Sequence, residues 1–157
     1  MSHRNLSLLL LCAALLLVGS GQPTVLAAVA PPQIFVDSNG VAISGFDVVS
    51  YFEERKPRKG LEKWNAEYKG AKFYFATMSN RDLFRKSPET YVPQFGGYCA
   101  YAMGHGGVSK CDPRRFTLRD GRLYLFSSST ARDEWKADGD HLIANAVAMW
   151  RRLFSNE

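Results

Sequence analysis

The sequence predicts a small α+β domain: an antiparallel sheet built from β-hairpins and covered by three or four helices. Three observations point there. Trp64, Ala66 and Tyr68 alternate with polar residues, as do Ala71, Phe73 and Phe75, around Lys69-Gly70. Phe116 and Leu118, then Leu123 and Leu125, alternate around Asp120-Gly121, the strongest hairpin signal in the chain. Ile143, Val147, Trp150 and Phe154 recur at helical spacing, flanked by Leu142, Ala146, Met149 and Leu153.

The chain begins with an address. Met1 to Asn5 carries His3 and Arg4 and no acid, and Leu6 to Val18 is almost wholly apolar. Gly19 to Gly21 and Pro23 break the run before the small residues that end in Ala27 and Ala30. This is the pattern of a secretory signal peptide over residues 1–27, cleaved after Ala27. The apolar run is shorter than the about 20 residues that a membrane span requires. The mature chain is therefore expected to be soluble, periplasmic or secreted, with no stable membrane insertion. Cys12 lies inside the apolar run and is not read as a lipidation site.

Residues 28–157 are read as one domain, with a motif core at about 41–115 and C-terminal helices at 130–155. The aromatic residues are numerous enough to build a core without further staples. The net charge of +5 is scattered among acids. Its longest basic stretches are Arg55 to Lys59, interrupted by Pro57, and the pair Arg151-Arg152. A nucleic-acid protein gathers such charge into a stripe, so nucleic acid is excluded as a partner.

The elements follow in order. Phe35-Val36 and Val41 to Ile43 flank Asn39-Gly40, a turn that accepts positive φ at both positions. Asp47 caps a helical turn through Val48, Val49, Tyr51 and Phe52. Lys56 to Gly60 is a loop, and the first hairpin follows with its apolar residues on one face. Ser79 and Asp82 form a capping box for a helix that buries Leu83 and Phe84 and ends at Pro88. Pro93 to Gly97 turns into the cysteine segment, and the second hairpin follows. Thr130 with Asp133 opens a helix that carries Trp135, Gly139 stops it, and Asp140 caps the last helix. No internal repeat is visible.

At this point the chain resembles a known family. Gly45-Phe46-Asp47-Val48-Val49-Ser50-Tyr51-Phe52, then Phe73 to Ala76, Asn80 to Phe84, Pro88, Tyr91, Pro93 to Ala100 and Asp112-Pro113 occur in the order of YHS-domain proteins, in their exported single-domain branch. The likeness spans nearly all of the mature chain. It implies a fold related to treble-clef metal sites and a metal-binding module without catalysis. The metal-linked members carry cysteines near the first hairpin; Phe73 to Thr77 holds neither cysteine nor histidine. Val48 replaces a usual proline, and Cys111 stands where the branch often has glycine.

The chemistry of the residues centres on Cys99, Met103, His105 and Cys111. Two thiolates, a thioether and an imidazole suit copper, because thiolate and thioether are soft donors that select Cu(I). Helical geometry from Cys99 to Met103 would put those two side chains on one face. Gly104, Gly106 and Gly107 would let the loop fold back to Cys111. The spacing matches no paired-cysteine zinc motif. Two other readings stay open. An oxidising compartment favours a Cys99–Cys111 disulfide, joined to a metal-free binding module whose pocket near Tyr98, Tyr101 and Tyr91 takes a small ligand or a partner. Cys99, His105 and Asp112 supply the residue types of a nucleophilic site, without a recognised catalytic motif around them.

Overall fold

The computed structural model describes residues 32–154. The expected signal peptide at 1–27 and the last residues, 155–157, lie outside the described residues. A 3-10 turn at Ile43–Gly45 leads to helix α1 (Ser50–Glu53), then strands β1 (Leu61–Tyr68) and β2 (Ala71–Phe75), and helices α2 (Met78–Lys86) and α3 (Pro88–Tyr91). A second 3-10 turn at Gln94–Gly97 leads to helix α4 (Ala100–Gly104), strands β3 (Asp112–Arg119) and β4 (Arg122–Phe126), and helices α5 (Ser129–Ala137) and α6 (Gly139–Phe154). The class is α+β, as the alternation predicts. The two hairpins do not merge into one sheet, however. Each is its own two-stranded antiparallel sheet. Among the described residues, no helix is long and apolar enough to cross a membrane.

Both turns are formed where the sequence puts them. Lys69 (φ 47°) and Gly70 (φ 74°) join Tyr68 to its partner Ala71, and Asp120 (φ 51°) and Gly121 (φ 69°) join Arg119 to Arg122. Two positive φ values are what a two-residue hairpin needs to match strand twist. The register places Ala66 opposite Phe73, and Leu118 opposite Leu123, so each apolar set shares a face. Strand β4 buries both faces. Leu123 and Leu125 enter a core cluster with Ile43, Tyr51, Phe73 and Phe84, while Tyr124 and Phe126 enter another with Cys99, Met103 and Trp135.

The structure contains a repeat that the letters conceal. Strands of eight and five residues, a two-residue link and a nine-residue helix occur twice, and Leu61 corresponds to Asp112, an offset of 51 (112 less 61). The same irregularity breaks both ladders, between Leu61 and Asn65 and between Asp112 and Phe116. Phe84 packs on Phe73 and Phe75 at ring distances of 4.8 and 5.0 Å; Trp135 packs on Tyr124 and Phe126 at 4.9 and 5.3 Å. Thr77 caps α2 by accepting from Asn80 N–H, and Ser128 caps α5 by accepting from Ala131 N–H. Each unit follows a left-handed turn: Ile43, Ser44 and Gly45 in the first half, Phe95, Gly96 and Gly97 in the second, all with positive φ. Few residues match, so the duplication lives in backbone geometry.

Several local expectations are corrected. Thr77 and Ser128, rather than Ser79 and Thr130, are the caps, because they hold the extended φ/ψ that a cap requires. Leu83 is exposed, and Phe84 alone supplies the buried side of α2. Pro88 opens α3 after Ser87 ends α2. Gly139 begins α6 instead of stopping α5; a Cβ there would lie 2.3 Å from Arg119 Nη1. Asp140 sits inside the first turn of α6 and reaches across to Arg119. The deepest residues of α6 are Leu142 and Ala146, so its buried stripe is turned from the one centred on Ile143 and Val147. At Asn39-Gly40 only the glycine has positive φ, because the Asp37 carboxylate takes the Asn39 and Val41 amides and shapes the turn.

Candidate functional site

Cys99 stands between the second left-handed turn and α4, beside the end of β4. Its amide donates to Ser109 O at 3.0 Å, and it bridges Leu125 in parallel. Its side chain is fully buried. Ser127 N–H donates to Cys99 Sγ at 3.3 Å, and Ser127 Oγ lies 3.4 Å from the same sulfur. Cys99 is the residue before α4, with φ −59° and ψ 114°. Cys99 is thus the cap of α4 rather than a helical residue; its carbonyl accepts Met103 N–H at 3.0 Å, and both side chains enter the same buried cluster.

Asp47 holds the corresponding place in the first half, two residues past Gly45 as Cys99 is two past Gly97; these turns are 52 apart (99 less 47), one more than the hairpins that follow. Its amide donates to Arg58 O at 2.8 Å, and its Oδ2 accepts from Ala76 N–H at 2.8 Å. Ala76 corresponds to Ser127. The carboxylate also accepts from Val49 N–H, Ser50 N–H and the Asn80 side-chain amide. Asp47 is thus both the expected cap and a buried acid that ties α1 to β2 and α2, with every contact satisfied. In the second half a thiol occupies this anchoring place.

Cys111 directly precedes β3 and packs half-buried against the first core cluster. Both thiols are free. Burial pushes the Cys111 thiol up to about 12; the Cys99 sulfur and the Asp112 carboxylate add to the rise, against a lowering from a backbone hydrogen bond. Tyr51, whose hydroxyl donates to Pro113 O at 2.7 Å, lies close enough for Cys111 to act on it. Burial, then Cys111, Asp112 and Asp47, push its pKa well above the usual phenol value.

The other expected ligands go elsewhere. Met103 is fully buried in the cluster that holds Cys99. His105 is exposed at the end of α4, where its ring packs on Tyr101 at 4.3 Å and its Nδ1 lies 2.9 Å from Tyr101 O. The tyrosines have separate neighbours. Tyr98 is buried against Phe35, with its hydroxyl donating to Pro32 O, and burial raises its pKa. Tyr101 bonds Glu134, which raises its pKa, and Tyr91 meets Phe52 edge-on. Asp112 accepts from Arg114 N–H and pairs with Arg114 and Arg115, while Cys99 and His105 bond Ser127 and Tyr101. Among the described residues, no three His, Cys, Asp or Glu side chains gather as a metal site would need.

The glycines of the cysteine segment have a steric reason. A Cβ on Gly96 would lie 1.8 Å from Gln33 O, and one on Gly97 would lie 2.3 Å from Ile43 Cδ1. They let the second turn close on the chain leading into the first. One residue outside every sequence motif matters here: Ser127, which follows the end of β4 and holds Cys99.

No protein-family model matches the chain, and no curated protein or solved structure matches it either.

Proposed function

We propose that this is an exported, non-catalytic metal-handling domain of the YHS type, holding Cu(I) through Cys99 and Cys111. The observation that carries the reading is that both sulfurs belong to the open end of the second hairpin: Cys99 Sγ meets Ser127, just past β4, and Cys111 directly precedes Asp112, whose partner is Phe126. Burial disfavours the Cys111 thiolate, and a bound cation would offset that cost, because a coordinating thiol is deprotonated outright. Thiolates select a soft ion, and Met103 keeps a thioether in the same buried cluster as Cys99. The donor set suits a two-sulfur ion rather than a four-ligand zinc site. Export rests on the N-terminal pattern, and the YHS assignment on the order of the motifs. Reconstitution of the reduced mature protein with Cu(I), followed by metal analysis, is the test. One equivalent is expected, and Cys99→Ser should lose it; full retention by that variant defeats the reading.

A second reading is a metal-free binding module in which Cys99 serves as an anchor and pairs with Cys111 as a structural disulfide. The matching bond from Ala76 to Asp47 supports it, since the first half uses that place purely for anchoring. Thiol counting on the unreduced protein separates the two. No free thiol favours the disulfide, and two free thiols remove it.

A further inference from the structure

Basic residues that are scattered along the chain meet in space. The loop Glu54-Arg55-Lys56-Pro57-Arg58-Lys59 follows α1, and Arg114 and Arg115 lie near the start of β3. Three hydrogen bonds seat both segments on α1 and its cap. Asp47 N–H donates to Arg58 O at 2.8 Å, Arg58 N–H donates to Ser50 Oγ at 3.2 Å, and the Tyr51 hydroxyl donates to Pro113 O at 2.7 Å. The Phe46 ring joins the two segments. Lys59 Nζ lies 4.7 Å from its centre and the Arg114 guanidinium 5.4 Å, so these cations are at most 10.1 Å apart, the sum of the two distances. Residues 53–59 and 110–115 together hold seven Lys or Arg and three Asp or Glu, which is four of the chain's five net positive charges.

The duplication shows that the fold does not require this charge. The bond from Asp47 N–H to Arg58 O corresponds to that from Cys99 N–H to Ser109 O, which aligns residues 54–59 with His105-Gly106-Gly107-Val108-Ser109-Lys110. The second loop carries one Lys where the first carries four Lys or Arg. The contrast is sharpest at Arg55, with φ 56°, whose counterpart is Gly106, with φ 78°. A left-handed φ favours glycine, yet the first half holds an exposed arginine there. The acids of the face leave it positive. Glu54 is shared by Lys56 and Arg58, and Asp112 by Arg114 and Arg115. All four cations are at least 45% exposed, so these pairs hold them weakly and leave them able to turn to another anion. Asp47 lies buried beneath, its carboxylate taken up by the Val49, Ser50, Ala76 and Asn80 donors.

We propose that this face docks the domain on an anionic phospholipid surface. A cluster of exposed Lys and Arg is the charge complement of a layer of anionic headgroups, which asks for charge and reach rather than a shaped pocket. The ring at the centre of the face, Phe46, is 6% exposed and covered by its two cations. It offers neither the stacking platform that a single-stranded nucleic acid uses nor the apolar anchor that centres a protein interface. The contact is peripheral, since among the described residues no helix is long and apolar enough to cross a membrane. The charge argument stands apart from the copper reading, and its test uses no metal.

The test is co-sedimentation of the reduced, metal-free mature protein with vesicles of phosphatidylcholine alone and of phosphatidylcholine mixed with phosphatidylglycerol, at low and at physiological salt. Binding is expected to the phosphatidylglycerol vesicles only, and it should weaken as salt rises. Lys56→Gln and Arg115→Gln, one from each segment, should each weaken it about fivefold, the scale of one cation at an anionic surface. Lys86→Gln and Lys136→Gln remove the same charge from α2 and α5 and should leave binding nearly unchanged. All four side chains are exposed, and an unchanged thermal unfolding curve shows that each variant is folded. The proposal is overturned by no binding to the phosphatidylglycerol vesicles, by equal binding to phosphatidylcholine alone, or by an equal loss in the Lys86 and Lys136 variants. Tighter binding to a duplex oligonucleotide at the same salt also overturns it.

Discussion

Asp47 and Cys99 occupy the same place in the two halves of the domain: each follows a left-handed turn and accepts the amide just past the end of its hairpin, Ala76 N–H for Asp47 and Ser127 N–H for Cys99. The carboxylate gathers donors from the first turn of α1, from Ala76 past β2 and from Asn80 of α2, whereas the sulfur takes its contacts from Ser127. The halves share a scaffold and diverge in chemistry at this point.

Removing the carboxylate should be costly. Asp47→Ala would strand Val49 N–H in a buried setting and Ala76 N–H and the Asn80 amide in part-buried ones. A loss of about 3 kcal/mol or more is expected, since each stranded donor costs about 1–3 kcal/mol. Urea unfolding of wild type and variant measures it.

The left-handed glycines should separate into two classes. Gly96→Ala drives a methyl into the Gln33 carbonyl, so a loss above about 3 kcal/mol is expected, as for the overpacking and backbone strain of a closed site. Gly70→Ala and Gly121→Ala meet nothing within 4 Å and carry only the positive-φ penalty, about 1–2 kcal/mol. Thermal unfolding of the three variants gives the ranking.

The matched caps should behave alike. Thr77→Ala and Ser128→Ala each remove one side-chain acceptor from the first turn of a nine-residue helix. Each is expected to cost about 1 kcal/mol. A large difference between them in urea titrations would show that the two halves are not energetically equivalent.

Stability should decline in alkali, in part through Cys111. Its thiol is raised in the folded protein from 9.0 to about 12. The folded state therefore keeps a proton that the unfolded chain releases. That contribution is complete below pH 9 and is lost as pH rises towards 12. Tyr51 adds to the same decline, so Cys111→Ser should flatten the slope of unfolding free energy against pH without abolishing it. Denaturation midpoints at pH 8 and pH 10.5 for both proteins decide this.

The hairpins were legible because alternation and turn chemistry act within a dozen residues. Lys69-Gly70 succeeds although lysine is a poor left-handed residue, because the register on either side leaves a two-residue link. The caps were misplaced by two positions, since Thr77 and Ser79 are equally good acceptors until β2 fixes where the strand ends. The duplication was illegible because Tyr68 and Arg119, or Asp47 and Cys99, do the same mechanical work with unrelated side chains. The two cysteines were visible as composition, but Met103 joins Cys99 as a core residue and His105 lies apart from it, for reasons of packing. Met103 fills the second core, and His105 lies past the end of a helix too short to bring it back.

Chelator-competition titration of the reduced mature protein with Cu(I), run beside Cys99→Ser and Cys111→Ser, tests the central functional claim most directly. The account predicts one tightly held equivalent in the wild type and its loss in both variants. Undiminished binding in Cys111→Ser, or no stoichiometric binding in the wild type, would contradict it.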